Sequence, residues 1–270
     1  MFEFKHNMSY TMPVNFGEND LLGSMDEDAH VVHDEVTSIF LSYTTDRQQL
    51  EQYLPQGFEV TEPLVQIFAA KNNGCRWLAG RSYNVIGVTV PVIFRGKIDE
   101  VKGSYVLVLW EDVCEAIMGG REQTGIPKVY ADIEEVRLHK KKWHSSASCY
   151  GNKFIEITLN DSEEVIGPER RNLRKNKDIN NMMAWRYIPN IGRPGAALSH
   201  ATLYPQEIGP ITKTWIGEPR AQWRNLTWDQ SPTQYKISSA LKRLPILEYR
   251  HGLAVNASAK LLIGLARELR

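Results

Sequence analysis

Hydrophobic and polar positions alternate with period two over much of this chain, the pattern of strands whose two faces meet different surroundings. Residues 37–43 (Thr-Ser-Ile-Phe-Leu-Ser-Tyr) show it with β-branched support, and 64–69, 83–90 and 105–110 repeat it. Residues 136–139 and 145–150 predict a hairpin around Lys140, Lys141 and Lys142, and 153–159 continue the β pattern. Later strands are predicted at 184–188, 196–203, 212–216 and 247–249. Helical spacing is rarer. Thr45-Asp46-Arg47-Gln48 reads as a capping box opening a short helix with Leu50, Tyr53 and Leu54 on its apolar face, ended by Pro55-Gln56-Gly57. Residues 111–118 predict a second short helix stopped by Gly119-Gly120, and 257–269 a closing one. Residues 1–34 read as an irregular arm, of a kind that often wraps a neighbouring subunit. The Gly/Arg/Asn-rich stretch 167–181 reads as a loop. Short strands, few helices, no repeat and no linker predict one α+β, β-rich domain over 35–270, with a closed or strongly curved sheet around a pocket.

Composition narrows the function classes. The 270 residues carry 32 basic and 32 acidic side chains, a balance that argues against a general nucleic-acid binder. Cys75, Cys114 and Cys149, without CxxC spacing, form neither a disulfide framework nor a zinc site. The first residues lack a signal-peptide pattern, and no apolar run approaches the ~20 residues of a membrane span. The expectation is a soluble, cytoplasmic protein without a membrane partner. No GxGxxG or Walker loop appears, so no nucleotide cofactor is expected. His30 and His33 are the only close histidine pair, which is too few ligands for a metal. Arg170, Arg171, Arg174, Lys175 and Lys177 make a basic stretch that could meet a phosphate or CoA-like tail, but reads more simply as solvated.

One lysine stands out chemically. Lys128 follows Pro127, which fixes its own φ and lacks a donor, and Ile126, Val129 and Tyr130 surround it with apolar groups. An ammonium in such surroundings tends towards its neutral form. A neutral amine attacks a ketone and forms an iminium, an electron sink for breaking a neighbouring C–C or C–H bond. On composition alone, Lys128 reads more simply as a surface lysine at a strand edge.

The segment Gly119-Gly120-Arg121-Glu122-Gln123-Thr124-Gly125-Ile126-Pro127-Lys128 resembles the acetoacetate decarboxylase-like superfamily, in which Gly-Arg-Glu leads through a Pro to the Schiff-base lysine. Glu62-Pro63-Leu64-Val65 is similar to another family segment, as is the stretch from Tyr83 through Gly87 to Val90-Pro91-Val92 and Gly96. Tyr187-Ile188-Pro189-Asn190 and Trp215-Ile216-Gly217-Glu218-Pro219-Arg220 resemble later landmarks in the family's order. The resemblance spans about residues 35–255. It implies a closed or cone-like antiparallel β-barrel with a few flanking helices, no cofactor, a homo-oligomer, and a lyase acting on a keto acid or related carbonyl compound through Lys128. The decarboxylases carry a second lysine, a glutamate and an arginine where this chain has Val129, Val85 and Val36. Acetoacetate is therefore a doubtful substrate, and a larger, more apolar carbonyl compound suits these valines. Aldol condensation with dehydration, retro-aldol cleavage and cyclisation stand beside decarboxylation, and a non-catalytic binding protein is the further alternative. Arg121, Glu122 and Tyr83 are the candidate supporting catalytic groups, by carboxylate binding, proton shuttling and enol hydrogen bonding. Gln123 and Tyr249, with Glu248 more weakly, are candidate pocket residues beside the three valines.

Overall fold

The structure, a computed structural model, describes residues 3–6, 8–17, 30–166 and 179–270. The chain order of strands begins β1 (Val31–Thr44), β2 (Phe58–Val60), β3 (Leu64–Cys75), β4 (Arg81–Arg95), β5 (Glu100–Glu111), β6 (Lys128–Tyr130) and β7 (Asp132–His139). It continues through β8 (Lys142–Cys149), β9 (Asn152–Glu164), β10 (Ile179–Pro189), β11 (Ala196–Ile208), β12 (Lys213–Trp223), β13 (Glu248–Leu261) and β14 (Arg267–Glu268). Among the described residues, three short α-helices accompany them: α1 (Arg47–Glu51), α2 (Cys114–Gly119) and α3 (Tyr235–Arg243). Among the described residues no helix is long and apolar enough to cross a membrane.

All strands belong to one sheet, whose main path runs β14-β11-β10-β5-β4-β3-β1-β13-β12-β9-β8-β7. A further pairing, Gln206–Ile208 of β11 against Ala259–Leu261 of β13, links the path back on itself. The pairings thus form a ring through β11, β10, β5, β4, β3, β1 and β13, with β12, β9, β8 and β7 extending from it. The antiparallel expectation holds for most neighbours. The exceptions are β10 with β5 and β5 with β6, which run parallel; neither pair is joined by a hairpin, since α2 and its following turn lie between β5 and β6, and strands β6 to β9 lie between β5 and β10.

Strands β1, β3 and β4 of the ring are largely buried on both faces, so their alternation sorts one set of apolar residues from another. In β1, Ile39, Leu41 and Tyr43 enter the main core, while Val36, Ser38 and Phe40 face the other way, into a cavity. In β3 the same split separates Val65, Ile67 and Ala69 from Phe68, Ala70 and Asn72. Gly87 lies opposite Phe68 in the neighbouring strand. A Cβ there would sit 2.3 Å from the Phe68 ring, so the glycine makes room for an aromatic wall of the cavity.

Several sequence expectations are corrected. The segment 257–269 is not a helix: β13 continues to Leu261, followed by a single 3-10 turn and β14. Its Ala, Leu and Lys content favours a helix, but hydrogen bonding to β1 and β11 overrides that weak preference. Strand β1 begins at Val31, inside the stretch read as an irregular arm. The cap of α1 is Asp46, which accepts from the Gln49 amide at 2.8 Å, and not Thr45. Glu111 ends β5 rather than opening α2. The proposed loop 167–181 falls outside the described residues except for 179–181, which are part of β10. The basic residues 170–177 lie outside the described residues as well.

Candidate active site

Lys128 opens β6, a three-residue strand whose register against β5 pairs Leu109 with Lys128 and Glu111 with Tyr130. Pro127 contributes only its carbonyl, which accepts from the Leu109 amide at 3.2 Å. Gln234, one residue before α3, braces the strand from the core side. Its amide nitrogen donates to the Tyr130 carbonyl at 2.7 Å, and its oxygen accepts from the Trp110 indole at 2.8 Å.

The other side of the lysine is covered by α2 and the π turn that continues it, Gly120–Thr124. The Gly119-Gly120 pair does not stop the helix. The stop is Gly125, whose φ of 73° lies in the left-handed region that a side chain would strain. Such π turns recur at functional sites because they displace a helix against its neighbours. Here the turn lays Gly120 on the lysine side chain, where a Cβ would come within 2.4 Å of Lys128 Cε. The clashing atoms lie at the far end of a flexible side chain, so Gly120→Ala is expected to alter stability by no more than about 1 kcal/mol. It should nonetheless displace the amine and slow its reaction with a carbonyl probe by roughly 10²-fold, with thermal unfolding and trapping kinetics measured side by side.

The amine itself is polar-bound. Lys128 Nζ donates to Glu111 Oε1 at 2.9 Å and to the Ala116 carbonyl at 3.1 Å, with its side chain 13% exposed. Glu111 is 2% exposed. Burial pushes its carboxyl up from the usual range, opposed by the charge and hydrogen bond of Lys128. The second carboxyl oxygen, Oε2, is buried without a hydrogen-bond partner among the described residues. Close by, Tyr83 Oη lies 3.2 Å from His33 Nε2. His33 is 2% exposed, and burial first, then the charge of Lys128, hold its imidazole down at about 4 against a partial opposing pull from Asp34. Burial also drives the Tyr83 and Tyr204 hydroxyls well above their ordinary range, with Glu111 adding to both.

These groups meet at a cavity of about 160 Å³ inside the strand ring. Its polar wall holds Lys128, Glu111, His33, Tyr83, Tyr204 and Asn72. Its apolar wall includes Phe40, Phe68, Val36, Val85, Met182 and Val255. A smaller chamber of about 40 Å³ lies under α2 and the π turn, and Lys128, Tyr83, Tyr204 and Leu261 line both spaces. The amine therefore stands at the partition between them. Among the described residues no group of three or more His, Cys, Asp or Glu side chains could hold a metal.

Of the residues expected from the sequence, Lys128, Tyr83, Val85 and Val36 come together at the main cavity, and Gln123 lines the smaller chamber. Others do not. Val129 packs against the main core, because adjacent residues of a strand face opposite ways. Arg121 points away and donates to the Lys128 backbone carbonyl at 2.8 Å, a brace for the loop. Glu122 lines neither space and is held by its backbone carbonyl, which accepts from Arg186. Tyr249 lies on the core side of the sheet, donating to and accepting from Ala221 of β12, and Glu248 is exposed beside Arg250. A buried carboxylate, that of Glu111, is the nearest polar group to the lysine amine. Glu111, His33 and Tyr204 were missed. Glu111 was hidden by its reading as a helix start, and His33 by its reading as half of a poor metal pair.

Comparison with known proteins fits this geometry. The family model described as acetoacetate decarboxylase matches residues 11–261. The chain is 33% identical over 228 residues to an acetoacetate decarboxylase of Burkholderia cenocepacia (strain HI2424), covering 80% of each protein. A match at 29% identity to the acetoacetate decarboxylase of Clostridium acetobutylicum covers 46% of this chain and 52% of that protein. Among solved structures, the enduracididine biosynthesis enzyme MppR, complexed with the condensation product of pyruvate and imidazole 4-carboxaldehyde, superposes with a TM-score of 0.66. That superposition covers 98% of this chain and 97% of that one at 16% identity, and so speaks for a shared fold. With the family model reaching across nearly its whole length, this chain belongs to the acetoacetate decarboxylase family.

Proposed function

We propose that the protein is a Schiff-base enzyme in which Lys128 Nζ condenses with a carbonyl compound held in the strand-ring cavity. In this reading the ring serves as a cone-like barrel with its substrate inside. The observation that carries it is an amine set in a cavity wall, between a buried carboxylate and a helix carbonyl. An ammonium must lose a proton before it can attack. Glu111, 2.9 Å away and pushed up by burial, is placed to receive that proton. The Nζ lone pair then bonds to the carbonyl carbon. The carbonyl oxygen leaves as water once it has taken up protons from the amine and from Glu111, and the iminium remains.

The cavity supports a compact, largely apolar substrate, since a cavity of about 150 Å³ is of the size that accepts benzene. Decarboxylation of a keto acid is one outcome of an iminium there. Aldol-type or dehydrating chemistry is a second, favoured by one observation: among the described lining residues no arginine stands ready to clamp a carboxylate. The fold is also that of an enzyme whose bound ligand is a condensation product. Sodium borohydride added with acetoacetate or 2-heptanone should reduce the iminium to a stable adduct, seen as a mass increase that peptide mapping places on Lys128. No adduct with either probe would overturn this reading and favour a binding protein without chemistry.

A further inference from the structure

Resting on the iminium reading above, we propose that Tyr83 and His33 form a proton relay for the α-carbon of the substrate bound to Lys128. Tyr83 lines both spaces that Lys128 separates, and His33 lines the larger one. The two are joined by the 3.2 Å contact between Tyr83 Oη and His33 Nε2. The Tyr83 ring is itself held edge-on between His33 and Trp77, at centroid distances of 5.8 and 5.9 Å. The hydroxyl is therefore fixed in place rather than free to turn away.

Tyr83 Oη takes the proton from the α-carbon of the iminium while its own proton passes to His33 Nε2. The C–H electron pair becomes the enamine double bond, and the C=N pair returns to Nζ and cancels the iminium charge. Tyrosine stays neutral throughout, which matters because a buried tyrosinate would be costly here. The positive charge moves from Nζ to the imidazole, so of the two influences that hold His33 down, burial persists while the repulsion from Lys128 is absent at the moment His33 gains its proton. Glu111, on the same wall, remains as a compensating group. Run in reverse, from a His33 that has first taken up a proton, the same relay delivers that proton to an enamine carbon, the closing step of a decarboxylation.

The test uses 2-heptanone in deuterium oxide, with α-hydrogen exchange followed by NMR and iminium formation followed by borohydride trapping. Wild type should trap and exchange. His33→Gln and Tyr83→Phe should still trap on Lys128 within about threefold, while exchange falls by roughly 10²-fold or more, the span of a lost acid–base group. Exchange at the wild-type rate in both variants would overturn the relay while leaving the iminium reading intact. Parallel loss of trapping and exchange would overturn it too, since it would show that the pair serves imine formation or folding. A wild type that never traps would remove the iminium reading, and the relay with it.

Discussion

Lys128→Met is expected to abolish reductive trapping and to lower α-hydrogen exchange of a ketone probe by on the order of a thousandfold or more. The protein should nonetheless stay folded. Removing one partner of a buried ion pair commonly costs several kcal/mol, because the remaining charge is stranded. Glu111 escapes that fate. Burial already pushes its carboxyl up, and Lys128 supplies both influences that hold it down. Without the lysine the acid takes a proton and sits neutral in the same space. Thermal unfolding within a few degrees of wild type, with trapping lost, is the expected combination. Lys128→Arg gives the complementary control, a cation that can still reach Glu111 but forms no imine. Exchange that survives in both variants would show that the amine is not the reactive group.

The second large effect is on stability against acid. His33 titrates near 6.5 in an unfolded chain but is held at about 4 in the fold. Its folded value is the lower one, so the native state binds fewer protons than the unfolded state between those limits. The stability this contributes is fully present above pH 6.5 and drains away as pH falls towards 4. A difference of about 2.5 pH units corresponds to roughly 3 kcal/mol. The groups facing His33 are Tyr83 through its hydroxyl, Lys128 as a repelling cation and Asp34 as a weaker attraction. His144, also held low by burial, loses stability in the same direction, and Glu111, held high, acts in the opposite sense. The measurement is therefore a difference: urea unfolding of wild type and His33→Gln across pH 4–7, in which the variant's curve should be flatter by about 3 kcal/mol. Parallel curves would show that His33 is not neutralised by its surroundings.

His33 also shows where the sequence stopped being legible. Period-two counting back from Phe40, Ser38 and Val36 points His33 to the opposite face. The strand reaches the cavity with both Val36 and His33 because its register shifts between them, at a bulge that resets the alternation. Nothing in Asp34-Glu35 marks that bulge. Glu111 was hidden for a related reason: the acidic Glu111-Asp112 pair looks like a helix start, yet β4 and β6 keep Glu111 extended as a strand residue. By contrast, most of the longer strands, the hairpin of β7 and β8, and the strand entry at Lys128 were readable. Their periodicity and turn chemistry are local properties, whereas burial of a single polar side chain depends on which strands lie beside it. The C-terminal segment failed on the same ground, since Ala257–Leu261 is made a strand by partners about 50 and 220 residues earlier in the chain.

The two-faced ring strands have a consequence for how such a protein can change its substrate. In β1 and β3, alternate residues belong to separate compartments: Ile39, Leu41, Val65 and Ile67 to the packed core, and Val36, Phe40, Phe68 and Ala70 to the cavity wall. A substitution in the second set reshapes the void while leaving the first set in place. Selection, natural or in the laboratory, can therefore explore new ligands along one face of a strand while the other face keeps the architecture intact.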